Sequence, residues 1–247
     1  VTGKPIGTAG LERPSWWSST KEDTKDFTAI GRTQNGILLL AVSLILGPIP
    51  YLMYLGFVLG LVGAILVILG RKAFGQHHSN LVKFSVGIWI VGIIAGIIVG
   101  ASYGYDVTSA VSANNSQAEV AQALSNAFNT LVIGLLISSS IAGLSQILIT
   151  YALQTTAGRL LLFLGYAIGI ALGVIVLSII SLQVNTAVSQ AILTQDLTPL
   201  NDLRTQSQLL GLVGIIPAII SASAFYLAYL RVANGEIPKS TTVPAWS

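Results

Sequence analysis

The chain has no cysteine. That excludes disulfides, thiolate nucleophiles, iron–sulfur ligation and every cysteine zinc site. Charge is nearly as scarce: acidic and basic residues together make up 9% of the 247 positions, against about 25% in an ordinary soluble domain. The central parts of the long apolar runs hold no ionisable residue, and this argues against proton-coupled transport and ion pumping. Arg32, Lys83, Arg159 and Arg231 lie near the ends of those runs, where long side chains snorkel to the interface. No histidine falls within a run, so a haem ligand is not expected and no cofactor is called for. The first 26 residues are polar and contain no apolar h-region, so no signal peptide is expected. The sequence opens at Val1, which an alternative start codon or N-terminal processing would equally explain.

What the chain has in plenty is apolar surface: 53% hydrophobic residues and a mean hydropathy of +0.79. So little charge cannot cover a surface in water, and the bilayer becomes the expected solvent. A membrane-spanning backbone must satisfy its own hydrogen bonds, which leaves helices or a closed barrel. The apolar runs are continuous, not alternating, and so read as helices. The expected fold is an all-α, polytopic transmembrane bundle of six spans. These cover about 27–47, 50–70, 81–103, 119–153, 159–182 and 207–232 within a membrane domain 27–232. Residues 1–26 and 233–247 form polar tails. Gly47-Pro48-Ile49-Pro50 separates the first two spans, and Pro50 suits a helix first turn.

The first span is the weakest, and a re-entrant hairpin of the first two segments is its rival. Charge placement arbitrates, because lysine and arginine concentrate on the cytoplasmic side. With six spans, 11 of the 12 basic residues share the side that holds both termini, and only Arg204 falls opposite. If the first segment failed to cross, the division would be even. Six spans with cytoplasmic N- and C-termini follow, in a multi-pass plasma-membrane protein.

Glycine supplies the main pattern. Gly92, Gly96, Gly100 and Gly104 recur every fourth residue, as do Gly165, Gly169 and Gly173. Four residues is a little over one helical turn, so each set lines one side of a helix and lets another helix approach closely. These are the expected helix-packing residues, within the subunit or against a partner. The sets also correspond. Val107-Thr-Ser-Ala-Val-Ser112 resembles Val184-Asn-Thr-Ala-Val-Ser189 at an offset of 77, and the same offset superposes Gly92 on Gly169 and Gly96 on Gly173. Spans three–four and five–six are therefore a candidate tandem two-helix repeat with an axis along the membrane normal. Coincidence in a small alphabet of apolar residues is the competing explanation.

The candidates for chemistry are few. His77-His78 points to a metal only weakly: adjacent side chains diverge, and no third ligand is in view. Ser138-Ser139-Ser140 lacks a base to activate it and reads as packing residues with hydroxyls bonded one turn back. No catalytic constellation emerges, so an enzyme is not expected. Pro217 reads as a static kink more readily than as a hinge. Trp16-Trp17 suits the headgroup region. Asn114-Asn115-Ser116 fits the N-glycosylation pattern, and its expected external position makes Asn114 a candidate acceptor. The external segments 104–128 and 184–206 exceed simple turns and read as helical extensions forming a small cap.

The stretch Ile37-Leu-Leu-Leu, Pro48-Ile-Pro50-Tyr51 and Gly56-Phe-Val-Leu-Gly60-Leu-Val-Gly63, stopped by Arg71-Lys72 and followed by a second glycine-rich span, resembles small polytopic archaeal membrane proteins of unknown function. The resemblance covers about residues 37–100. It implies an archaeal plasma membrane and brings no activity or site residue. Two functions stay open: a structural or accessory subunit of a larger membrane complex, or a channel or carrier for a neutral small solute. The expected partners are membrane lipid and other membrane subunits or copies of the chain itself, with no nucleic acid.

Overall fold

A computed structural model describes residues 21–112 and 116–237, with the side chains described from Phe27 onward. Asn114, Trp16 and Trp17 lie outside the described residues. Among those described, the chain is all helix with no strand: α1 (Lys21–Leu46), α2 (Met53–Gly70), α3 (Gly75–Ser112), α4 (Gln117–Tyr151), α5 (Thr156–Thr194), α6 (Thr198–Gly211) and α7 (Ile215–Ala233). Five helical stretches are long and apolar enough to cross a membrane: Phe27–Leu46, Met53–Ser112, Gln117–Tyr151, Thr156–Thr194 and Thr198–Ala233. The second runs for 60 residues and contains both α2 and α3. Between them lies a 3₁₀ turn, Arg71–Phe74, and α3 opens at Gly75 with φ +84°, a conformation that glycine adopts without a Cβ penalty.

Local chemistry sets the helix ends. Ser116 and Glu119 form a capping box at the start of α4: the Ser116 amide donates to Glu119 Oε2 at 2.8 Å, and the Glu119 amide donates to Ser116 Oγ at 3.4 Å. Thr155 caps α5 by accepting from the Gly158 amide at 3.1 Å. Asp196 accepts from the Thr198 amide and hydroxyl at 2.9 and 2.8 Å, fixing the turn into α6. Between α1 and α2, Tyr51 takes φ +68°, so α2 starts at Met53 and not at Pro50. The kink expected at Pro217 takes the form of a 3₁₀ turn over Leu212–Gly214. Proline has no amide for the carbonyl four residues back, which is Val213 inside that turn.

The helices pack side by side in the order α2, α1, α7, α5, α4, α3. The arrangement nearly closes, but α2 and α3 barely touch. The interior of this arrangement is filled by Ile37 and Leu40 of α1, Val67 of α2, Val82 of α3, Ile147 and Ile149 of α4, Leu162 of α5, and Ala224, Phe225 and Ala228 of α7. At 1.5 Å per residue, the 38, 35 and 39 residues of α3, α4 and α5 each exceed the roughly 30 Å hydrocarbon thickness. Their polar far portions continue as helix past Gly104, before Leu131 and past Leu182. Those extensions bury small residues, among them Ala110, Ala121, Ala127, Ala187 and Ala191, and α6 packs on α5.

Candidate functional site

The closest helix contact lies between α1 and α2, and it is built from positions seven apart. Gly56, Gly63 and Gly70 of α2 are all buried. A Cβ on Gly63 would stand 2.8 Å from the Gly36 carbonyl oxygen and 3.0 Å from the Leu40 amide nitrogen. One on Gly56 would stand 3.1 Å from the Ser43 carbonyl oxygen, and one on Gly70 would collide with the Ala29 carbonyl and the Thr33 hydroxyl. The partners Ala29, Gly36 and Ser43 on α1 also step in sevens. Two helices that meet every 3.5 residues wind gently about each other, and small residues at the seam bring the backbones together. Spacing of four does not reveal this seam; spacing of seven in Gly56, Gly63 and Gly70 does.

The seven glycines singled out by sequence divide into two kinds. Gly92 faces α4, where a Cβ would lie 3.2 Å from the Ala142 amide nitrogen, and Gly96 faces Ser138 Oγ at 3.1 Å. Gly165 meets Ser221 and Pro217 of α7, Gly169 meets the Pro217 ring at 3.6 Å, and Gly173 meets Leu136 of α4 at 3.2 Å. Gly100 and Gly104 meet nothing within 4 Å.

Hydroxyls and amides supply the remaining cross-links. Ser138 Oγ donates to the Gly92 carbonyl of α3 at 2.6 Å, an interhelical bond where a bond one turn back was expected. Ser139 and Ser140 do bond back, to the Leu136 carbonyl at 2.9 and 2.8 Å. Ser85 Oγ donates to the Ser145 carbonyl at 2.8 Å, with the two hydroxyls 3.0 Å apart. Tyr166 donates to the Ser140 carbonyl at 3.0 Å, and Gln154 Nε2 donates to the Ala224 carbonyl at 2.9 Å. At one end of the bundle Arg231 donates to the Leu153 carbonyl at 2.7 Å and pairs with Glu236 at 3.1 Å. Arg159 lies over the Tyr151 ring at 4.5 Å.

Of the two adjacent histidines, His77 is exposed and His78 is 1% exposed, edge-on to Phe74. They do not converge, and no group of three histidine or carboxylate ligands occurs among the described residues. In the polar extension of α4 before Leu131 and in the turn ahead of α6, hydrogen bonds from Ser116 hold the Glu119 carboxyl below its ordinary pKa, and hydrogen bonds from Thr198 do the same for Asp196.

Among the described residues, two of the cavities lie between the apolar parts of the helices. One, of about 270 Å³, is bounded by α4, α5 and α7, including Ser140, Tyr166, Gly169, Pro217 and Ser221. The other, of about 280 Å³, is bounded by α1, α2, α3 and α4, including Ser43, Gly56, Phe57, Gly60, Ser85 and Trp89. Leu44 and Gln146 line both. The Gln146 side chain is exposed where it lines the two cavities, and it makes no hydrogen bond among the described residues, although it lies within the apolar part of α4. Gln146 is the polar group that sequence reasoning missed. It is a single uncharged residue in a helix already carrying Ser138, Ser139 and Ser140, and only its position between two cavities distinguishes it.

No protein-family model, curated protein or solved structure matches the chain.

Proposed function

We propose that the chain is a six-span plasma-membrane protein, with both termini cytoplasmic, that serves as a structural or accessory subunit of a larger membrane assembly. The observation that carries this reading is the outer face of α3. Gly92 and Gly96 are covered by α4, but Gly100 and Gly104 on the same helix face open space. A glycine inside a helix costs about 1 kcal/mol relative to alanine. That cost has no return on a face that meets only lipid, and it is recovered where another helix approaches closely. Counting α2 and α3 as separate crossings is supported by the backbone break at Gly75 and by the cavity that both helices help to line. The side of the membrane rests on the distribution of lysine and arginine.

A second reading, a carrier or channel for a neutral solute, is favoured by the two cavities that meet at Gln146. The paired hairpins favour it too: α3 and α4 run 38 and 35 residues, and α5 and the Thr198–Ala233 stretch run 39 and 36. At the offset of 77, Gly92 against Ser138 and Ala142 falls on Gly169 against Pro217, midway between the equivalent positions 215 and 219. Gly173, which corresponds to Gly96, meets Leu136 of α4 instead, so the tandem correspondence is partial.

Extraction of native membranes in mild detergent separates the readings. Co-isolation of a stoichiometric partner or a defined homo-oligomer, lost on Gly100→Leu with Gly104→Leu, is the outcome expected of a subunit. A lone monomer that passes neutral solutes across liposomes would refute the assembly reading.

A further inference from the structure

We infer that the cavity between α2 and α3 is a binding site for a membrane-borne neutral amphiphile: a hydrocarbon chain ending in one uncharged hydrogen-bonding group, which Gln146 receives. The inference is independent of whether the chain has protein partners. The route in is the seam where α2 and α3 barely touch, so the cavity communicates with the hydrocarbon laterally. Gly56 and Gly60 face Ser43 of α1 on the inner wall, while Phe57 and Trp89 contribute apolar flanks. No ionisable residue lines the cavity, so a carboxylate or ammonium head would enter without a counter-charge.

The polar groups in the wall identify the end of the site by elimination. Ser43 donates to the Leu40 carbonyl at 2.7 Å. Ser85 and Ser145 are bonded to each other. Trp89 also lines the wall, but its indole N–H can only donate; Gln146 alone offers both a donor and an acceptor that no described residue uses, and it lines the second cavity as well. A hydroxyl both donates and accepts, and so does the side-chain amide, so an alcohol matches it on both counts. A pure hydrocarbon would leave the amide unpaired, which disfavours it by the same logic that makes polar sites reject analogues lacking the polar group.

Trp89 reports directly on this cavity. The test uses the full chain with Trp16→Phe, Trp17→Phe and Trp246→Phe, reconstituted in phosphatidylcholine liposomes, and follows quenching of Trp89 by dibrominated octadecanol. Saturable quenching is expected, relieved by unlabelled octadecanol and not by octadecane. Gln146→Met keeps length and removes the hydrogen bonds, and should weaken apparent binding about tenfold, with melting temperature and helix content kept. Gly60→Leu places its added side chain against Ser43 of the inner wall, where the Cβ would stand 3.3 Å from Oγ, and should abolish the saturable component, with its melting temperature read beside that of the parent. Quenching that rises linearly with brominated alcohol and is equal in all three proteins would overturn the inference. So would equal competition by octadecane and octadecanol, which would leave Gln146 without a role.

Discussion

Replacing Gly63 by valine tests the α1–α2 seam most sharply. The first added carbon would lie 2.8 Å from the Gly36 carbonyl oxygen, 3.0 Å from Leu40 Cγ and 3.0 Å from the Leu40 amide nitrogen. Two of these three atoms belong to the α1 backbone, so a rotamer change cannot relieve the contact. Ordinary carbon contacts need about 3.5–4.0 Å, so the helices must part by roughly 0.5–1 Å, and a gap of that size forfeits a quarter to a half of the local dispersion energy. Overpacking of this kind costs about 1–3 kcal/mol. Valine is a better helix former than glycine by only a few tenths of a kcal/mol, which offsets little. A net loss of about 2 kcal/mol corresponds to a melting temperature lower by about 4–8 °C for a chain of this length. The assay is thermal unfolding of the purified chain in detergent, followed by intrinsic fluorescence. Gly100→Val is the matched control, since its Cβ meets nothing within 4 Å, and it should melt within about 1–2 °C of the parent, as surface changes do. Equal melting of Gly63→Val and the parent would refute the seam, and an equal drop in both variants would show that steric contact is not the cause.

Three further outcomes are expected. Ser138→Ala removes the interhelical bond to the Gly92 carbonyl and should cost about 0.6–1.7 kcal/mol, the scale measured for such bonds within membranes; the same melting assay reads it. Gln146→Met should leave stability unchanged or raise it, because that amide has no partner, whereas Gln154→Met breaks the bond to the Ala224 carbonyl and should cost about 1–3 kcal/mol; denaturant unfolding of the two side by side decides. The folded-state pKa values of Glu119 and Asp196 are depressed. Their contributions are therefore complete above the unfolded carboxyl values of about 4 and are lost as pH falls through the folded values. Amide exchange at 117–120 and 198–200 should accelerate on acidification below pH of about 4, and Glu119→Gln should remove the pH dependence in the first segment only.

The helices were legible because each apolar run is uninterrupted and long, and Arg71-Lys72, Arg159 and Arg231 mark one end of several of them. Their true lengths were harder to see. α3 continues through Asp106 to Ser112, and α5 through Asn185 to Thr194, because helix persists after the apolar signal stops. In these stretches Ala110, Ala187 and Ala191 are buried, and tertiary burial, not periodic hydrophobicity, sustains them. The glycines show the same division. Runs of every-fourth glycine on α3 and α5 were conspicuous, but the nearest approach uses Gly56, Gly63 and Gly70 against Ala29, Gly36 and Ser43, where one partner is an alanine and another a serine. A composition-based eye catches glycine; the contact requires only smallness at the right interval. Gln146 was invisible for a different reason. Its significance lies in which helices surround it, and the near-absence of contact between α2 and α3 has no local signature in either segment.

The assembly reading depends first on the membrane architecture, with one face carrying the basic ends of the helices and the other the helical extensions. Because the chain has no cysteine, single cysteines can be introduced without background and labelled on intact cells with a membrane-impermeant maleimide. Ser109, Gln122, Gln190 and Asn201 are exposed positions on the extensions, and Gln76, Thr156 and Glu236 are exposed positions at the opposite end. The expected result is labelling of the first four as Ser109→Cys, Gln122→Cys, Gln190→Cys and Asn201→Cys, with the last three reacting only after the membrane is opened. Labelling of Gln76→Cys and Gln122→Cys from the same side of an intact membrane would contradict it.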